Sequence, residues 1–282
     1  MTKQPSARNR VRKTLEPKTH LVIPDSHIAP DDLNHRFIRL AKFICDLKPD
    51  KIINIGDMAD MISLNNFDIG KTRSKFCGKS YAQDIAAAHD AMEKMERTIL
   101  RTKWGKQKWK GVEKHITLGN HENRIERFID YNGQLENFID MSDLRYDEFG
   151  WKSHPYQEQI NLNGVIYSHN VAFQMAHRPI SGVHHAHTLM MKWHNSITVG
   201  HSHLMDYKQH TDISTGRKMH GLVAGCFLER DKTGDIVQFE DYAGQSQHLW
   251  WSGLIVKENV MNGDYDMRTI RMQTLVNDYP NV

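Results

Sequence analysis

Five short polar blocks, each near the end of a β-like run, constrain this chain more than any other feature. They are Asp25-Ser26-His27, Gly56-Asp57-Met58-Ala59-Asp60, Gly119-Asn120-His121-Glu122, Tyr167-Ser168-His169-Asn170 and Gly200-His201-Ser202-His203. The runs before them are apolar and short: residues 20–24, 51–55, 115–118, 165–167 and 196–199. In a sheet built from such runs, functional groups gather beyond the carboxyl ends of the strands. The third block is the most telling, because an amide oxygen and an imidazole stand side by side in Asn120-His121. Together the blocks offer Asp25, Asp57 and Asp60, the Asn120 amide, and the imidazoles of His27, His121, His169, His201 and His203. That is the ligand inventory of a two-metal hydrolytic centre.

The pattern between the blocks is α/β. The strand at 20–24 is followed by apolar residues at helical spacing (Leu33, Phe37, Leu40, Ile44, Leu47), with Asp31 and Asp32 as expected N-caps and Pro49 as the stop. The strand at 51–55 completes a βαβ unit. Residues 81–100 carry Ile85, Met92, Met95 and Ile99 on one helical face. They sit inside an insertion at about 65–112 with flanking lysines and arginines and the indoles of Trp104 and Trp109, a composition suited to a nucleic-acid backbone and stacked bases. A helix is expected over 122–140, a hairpin over 160–167 turning at Asn163-Gly164, and a loop-and-helix crossover over 170–195. The remainder reads as β-rich and antiparallel. The expected organisation is a flexible basic arm at 1–18 and a single domain at 19–282.

Composition adds little by itself. The 282 residues have a formal charge of only +3, so any surface for a polyanion must be local. The eighteen histidines favour metal chemistry. Cys45, Cys77 and Cys226 form no paired framework, which points to a reducing, cytoplasmic location. No run is long enough for a membrane span, and no membrane partner is expected.

Taken in order, Asp25-x-His27, Gly56-Asp57-x-x-Asp60, Gly119-Asn120-His121-Glu122, His169 and Gly200-His201-x-His203 resemble the calcineurin-like metallophosphoesterase superfamily, and the compact layout resembles its bacterial and phage-encoded members. The resemblance implies a four-layer β-sandwich flanked by helices, with a dinuclear centre at one edge. It implies two divalent transition-metal ions, manganese first, with iron, zinc or nickel as alternatives. Asp25, His27 and His203 would hold one ion, Asp57 would bridge, and Asn120, His169 and His201 would hold the other. On the residues alone, His154, His177, His184 and His185 compete with His169, which is preferred because a strand delivers it.

Within this resemblance His121 contacts the phosphate and serves the leaving oxygen, while Asp60 and Glu122 orient imidazoles or nearby backbone. Arg124 and Arg178 are candidate substrate contacts beside Asn120 and His121. Met61-Ile62 follow Asp60 where the family's protein phosphatases carry Arg-Gly, and residues 60–64 lack the tyrosine of its purple acid phosphatases. The expected activity is hydrolysis of a phosphodiester in DNA, RNA or a nucleotide, by a hydroxide bridging the two metals. A phosphomonoesterase and a non-catalytic metal-binding scaffold are the alternatives.

Overall fold

The computed structural model describes residues 16–30, 32–65, 80–172, 178–229 and 244–282. The arm at 1–15, Asp31, the lysine- and arginine-bearing segment 66–79 and His177 lie outside them. The first strand, β1 (Lys18–Ile23), takes in the residue at which the expected arm ends.

After β1 come α1 (His35–Leu47), β2 (Lys51–Asn54), α2 (Tyr81–Leu100), α3 (Lys103–Lys108) and β3 (Glu113–Thr117). Then follow α4 (Arg124–Tyr131), β4 (Lys152–His154), β5 (Ile160–Leu162) and β6 (Val165–Tyr167). The chain continues through α5 (His185–Trp193), β7 (Ser196–Val199), β8 (Met205–Thr211) and β9 (Lys218–Ala224). It closes with β10 (Gly253–Met261), β11 (Asp264–Arg271) and α6 (Met272–Asp278). The strands form a six-stranded sheet, β11-β10-β1-β2-β3-β4, and a five-stranded sheet, β5-β6-β7-β9-β8.

Alternation along the strands sets the layering. Leu21, Ile23, Ile52, Leu254 and Val256 share one core with Phe37, Leu40, Ile44, Met92 and Leu275, which belong to the helices covering the first sheet. Their neighbours Val22, Ile53 and Ile255 point the other way and pack on Tyr167, Leu222 and Ala224 of the second sheet. The outer face of that sheet, through Ile197, Val199 and Val223, is covered by Ala186 and Leu189 of α5. Helices, sheet, sheet, helix is therefore the order of layers.

Several expectations need correction. Asp32 does not cap α1. Asn34 occupies the N-cap position with φ 54° and makes no capping bond. Asp32 instead accepts the Asn34 N–H at 2.9 Å and pairs with buried Arg36 at 2.8 Å. Leu33 is 68% exposed rather than part of the apolar stripe. The helix after Glu122 begins at Arg124 and ends at Tyr131, well short of residue 140. After residue 203 the expected antiparallel pairing holds for β8 with β9 and β10 with β11. The second sheet is nonetheless parallel at its centre, β6-β7-β9, with α5 the crossover from β6 to β7. Only its outer pairings, β5 with β6 and β8 with β9, are antiparallel.

The described Trp-bearing part of the basic stretch, 103–111, lies near the amino end of β3. Helix α3 leads through Trp109 into the amino end of β3, whereas the polar blocks leave the carboxyl ends of β1, β2 and β3. Trp109 is fully buried, its indole N–H donates to Glu96, and Lys114 Nζ lies 4.2 Å above its ring. A ring enclosed in this way has no free face for a base. Trp104 is half-buried and packs against the same core.

Candidate metal centre

Tight loops beyond β1, β2 and β3, and after β6 and β7, bring the five blocks together. His27, Asp57, His201 and His203 all adopt left-handed backbone, with φ of 43°, 47°, 69° and 58°. Such conformations are costly for non-glycine residues and concentrate where a site is held against its own preference. The glycines in the blocks permit close approach. A Cβ on Gly119 would lie 2.0 Å from Asp57 Oδ1, and one on Gly200 would lie 2.2 Å from Asp25 Oδ1.

Three groups of candidate ligands result: Asp25, His27 and His203; His27, Asp57 and His121; Asp57, His169 and His201. Ligand atoms within each group lie within 4.8 Å of one another. Asp57 Oδ2 is central, 3.3 Å from His169 Nε2, 3.8 Å from His27 Nε2 and 3.9 Å from His121 Nε2. Its Oδ1 accepts the His121 backbone N–H at 2.9 Å. The Asn120 amide oxygen joins the third group, 3.0 Å from His169 Nε2 and 2.8 Å from His201 Nδ1.

Hydrogen bonds behind the ring nitrogens fix which of them face the centre. The Nδ1–H of His169 donates to the Ile55 carbonyl at 3.0 Å. Asp60 accepts from His27 Nδ1 at 3.0 Å and from His121 Nδ1 at 2.6 Å. Each of these rings thus turns Nε2 inward. Glu122 performs the same office for the backbone. It accepts the N–H groups of Asp57, Met58, Ala59 and Gly119 at 3.1, 2.6, 2.9 and 2.8 Å.

This donor set fits divalent cations. His27 Nε2 and His203 Nε2 face each other at 2.9 Å, while His27 Nδ1 is already engaged by Asp60. Asp25 Oδ2 accepts the His201 N–H at 2.7 Å, yet Asp25 Oδ1 is buried without a partner among the described residues. Asp25, Asp57 and Glu122 are all buried, and such a concentration of carboxylate calls for positive charge nearby.

The imidazoles carry part of that charge. Burial favours a raised Asp57 pKa, but His169 and His121 outweigh it and hold the carboxyl well below the usual range. Burial opposes protonation of His169 too, and Asp57 outweighs it, lifting the ring to about 9. His201 goes the other way, to about 4, through burial and the charge of His169. His121 is raised: burial opposes this, and Asp57 and Asp60 prevail.

A cavity of about 280 Å³ opens over the cluster, lined by His27, Asp57, Asn120, His121, His201 and His203 together with Arg124. Arg124 donates to the Asp60 carbonyl at 2.8 Å and lies 3.2 Å from His121 Nε2. Arg178 is exposed and is not among the described residues lining this cavity. The competitors of His169 are elsewhere. His154 lies 3.0 Å from His115, and His184 and His185 open α5. Asn65, Ser202 and Trp250 also line the cavity. Sequence reasoning gave none of them a role; only the Trp250-Trp251 pair carried a signal, as adjacent indoles in a polar segment.

No family model and no curated protein matches the chain. Among solved structures, wild-type Vps29 from Entamoeba histolytica complexed with zinc aligns at a TM-score of 0.35 and 11% identity, covering 90% of this chain and 98% of that one. A second structure aligns at a TM-score of 0.38 and 10% identity, covering 90% and 99%. Likeness at this level leaves the site to be read from its own geometry. Among the described residues no helix is long and apolar enough to cross a membrane.

Proposed function

We propose that this chain is a metal-dependent phosphoesterase of the calcineurin-like superfamily that hydrolyses phosphodiesters. The observation that carries this reading is the position of Asp57 Oδ2 between inward-facing Nε2 atoms, with a further carboxylate, Asp25, and the Asn120 amide completing the groups on either side. Asp25, His27 and His203 would hold one cation and Asn120, His169 and His201 a second, with Asp57 within reach of both groups. When bound, the cations neutralise phosphate charge and make water acidic enough to serve as nucleophile near neutral pH.

The chain supplies the rest. Asp60 keeps His27 and His121 in one tautomer. Glu122 fixes the two loops that carry Asp57 and Asn120. Arg124, already at the cavity wall, turns its guanidinium from His121 to a phosphate oxygen, where charge-assisted bonds are strongest. His121, its Nδ1 held by Asp60 and its ring at the cavity wall, is placed to serve the departing oxygen through Nε2.

The test pairs elemental analysis of the purified chain with turnover of bis-p-nitrophenyl phosphate and p-nitrophenyl phosphate, before and after manganese reconstitution. Stoichiometric metal and metal-dependent cleavage favouring the diester are expected. Preference for the monoester would move the reading to a phosphomonoesterase. Bound metal without turnover of either compound would reject catalysis.

A further inference from the structure

Charge is spread unevenly along this chain. Residues 97–112 carry Arg97, Arg101, Lys103, Lys106, Lys108 and Lys110 and no carboxylate, so with a formal charge of +3 overall the remainder is net acidic. All of these cations but Arg97 are fully exposed, and none has an ion pair among the described residues. They stand on α3 and its flanks, over the two indoles of Trp104 and Trp109, which lie 6.3 Å apart and pack on the core beneath. A cavity of about 310 Å³ opens here, with Lys48, Lys108 and Trp104 in its walls. The carboxylate among its lining residues, Asp50, is already engaged by Lys18 at 3.2 Å, and nearby Glu113 by Lys51. The lysines of the cavity and of α3 therefore form a cationic surface whose nearest acids are taken.

We infer that this surface is a docking platform for the phosphate backbone of a nucleic acid, resting on the function proposed above for the cleavage it would serve. Exposed cations that meet backbone phosphates gain affinity by releasing condensed counterions, and such contacts position a strand without reading its sequence. An anionic membrane fits less well, because helices that lie on bilayers bury an apolar face in them, and both indoles here are turned to the core. The five residues of β3, at about 3.3 Å each, place the platform roughly 16 Å from the polar blocks. A dinucleotide does not span that distance, so the platform favours long substrates over short ones.

The probe is a fluorescein-labelled twenty-nucleotide oligothymidylate with phosphorothioate linkages, its binding to the full chain followed by fluorescence polarisation across a salt series. Lys106→Gln combined with Lys108→Gln should weaken binding about tenfold and flatten the log–log salt dependence by about 1.4, the contribution of two phosphates on a single strand. Arginine at both positions should restore affinity and slope. Lys208→Gln combined with Lys218→Gln, on β8 and β9 of the other sheet, removes the same charge and should leave the slope unchanged. An equal loss in the two double variants would show bulk charge rather than a platform and would overturn the inference. Competition by phosphatidylserine vesicles as effective as that by unlabelled oligonucleotide would overturn the choice of nucleic acid.

In turnover, Lys106→Gln with Lys108→Gln should raise KM for an unmodified twenty-nucleotide strand several-fold more than KM for bis-p-nitrophenyl phosphate, with kcat for the strand retained. Diester turnover with no dependence of strand KM or salt slope on these lysines leaves the proposed function standing and removes the platform. Lysine-dependent binding without turnover does the reverse.

Discussion

The two ends of the first sheet are made of opposite materials. Beyond the carboxyl ends of β1, β2 and β3, buried carboxylates and imidazoles crowd together on left-handed backbone. Around the amino ends, Lys18 meets Asp50 at 3.2 Å and Lys51 meets Glu113 at the surface, above the buried indole of Trp109. The same strands serve both. One end concentrates like charge and strained conformation, which are tolerated only where function needs them. At the other, Lys18 and Lys51 are paired with acidic neighbours.

The sharpest way to break this contrast is Asp57→Asn. The substitution keeps shape while removing the anion that faces three Nε2 atoms. Bound metal, measured by elemental analysis, should fall for both groups of ligands, and turnover should drop by more than the ~10–100-fold typical of losing an outer partner. Retention of two metal equivalents would refute the shared carboxylate.

At the opposite end, Trp109→Ala should cost about 3–5 kcal/mol of stability, as for other large aromatic truncations in a core. It removes the ring beneath Lys114 and the donor to Glu96. Turnover of a small diester per folded molecule should be unchanged. A denaturant titration beside an activity assay checks both, and a large loss of turnover at constant stability would show that the two ends are coupled.

How much of this could be read from residues alone follows the same division. The blocks at the carboxyl ends were legible because each joins a strand-like run to rare polar chemistry, and all seven expected ligands converge. The layering was legible in the alternation of strands such as Leu21, Val22 and Ile23. Strand β8 was missed because Met205–Thr211 lies at a sheet edge, largely polar and exposed, with no apolar period to betray it. Trp109 misled because composition places an indole among lysines without saying which side of a helix turn it closes. The Asp32 expectation failed because a pairing with Arg36 competes with capping. The roles of Asp60 and Glu122 could be anticipated only in kind, since which hydrogen bonds they accept depends on loops distant in sequence.

The smallest effect concerns the region between the sheets and requires no change at the cluster. His20 is fully buried, 2.8 Å from the Tyr167 hydroxyl and 3.1 Å from the Asn163 side-chain oxygen, an arrangement that suits a neutral ring donating to Asn163 and accepting from Tyr167. Burial, assisted by the charge of Lys257, pushes its pKa down from 6.5 to about 3. Between those values the unfolded chain binds a proton that the folded chain refuses. The stability contribution of His20 is therefore fully present above pH 6.5 and is lost as the pH falls toward 3. By pH 5 the loss amounts to about 2 kcal/mol. Urea titrations at pH 7.5 and pH 5 should accordingly differ less in His20→Asn than in the wild type, by roughly this amount. An equal difference in both proteins would mean that other buried histidines, not His20, set the acid limit of the fold.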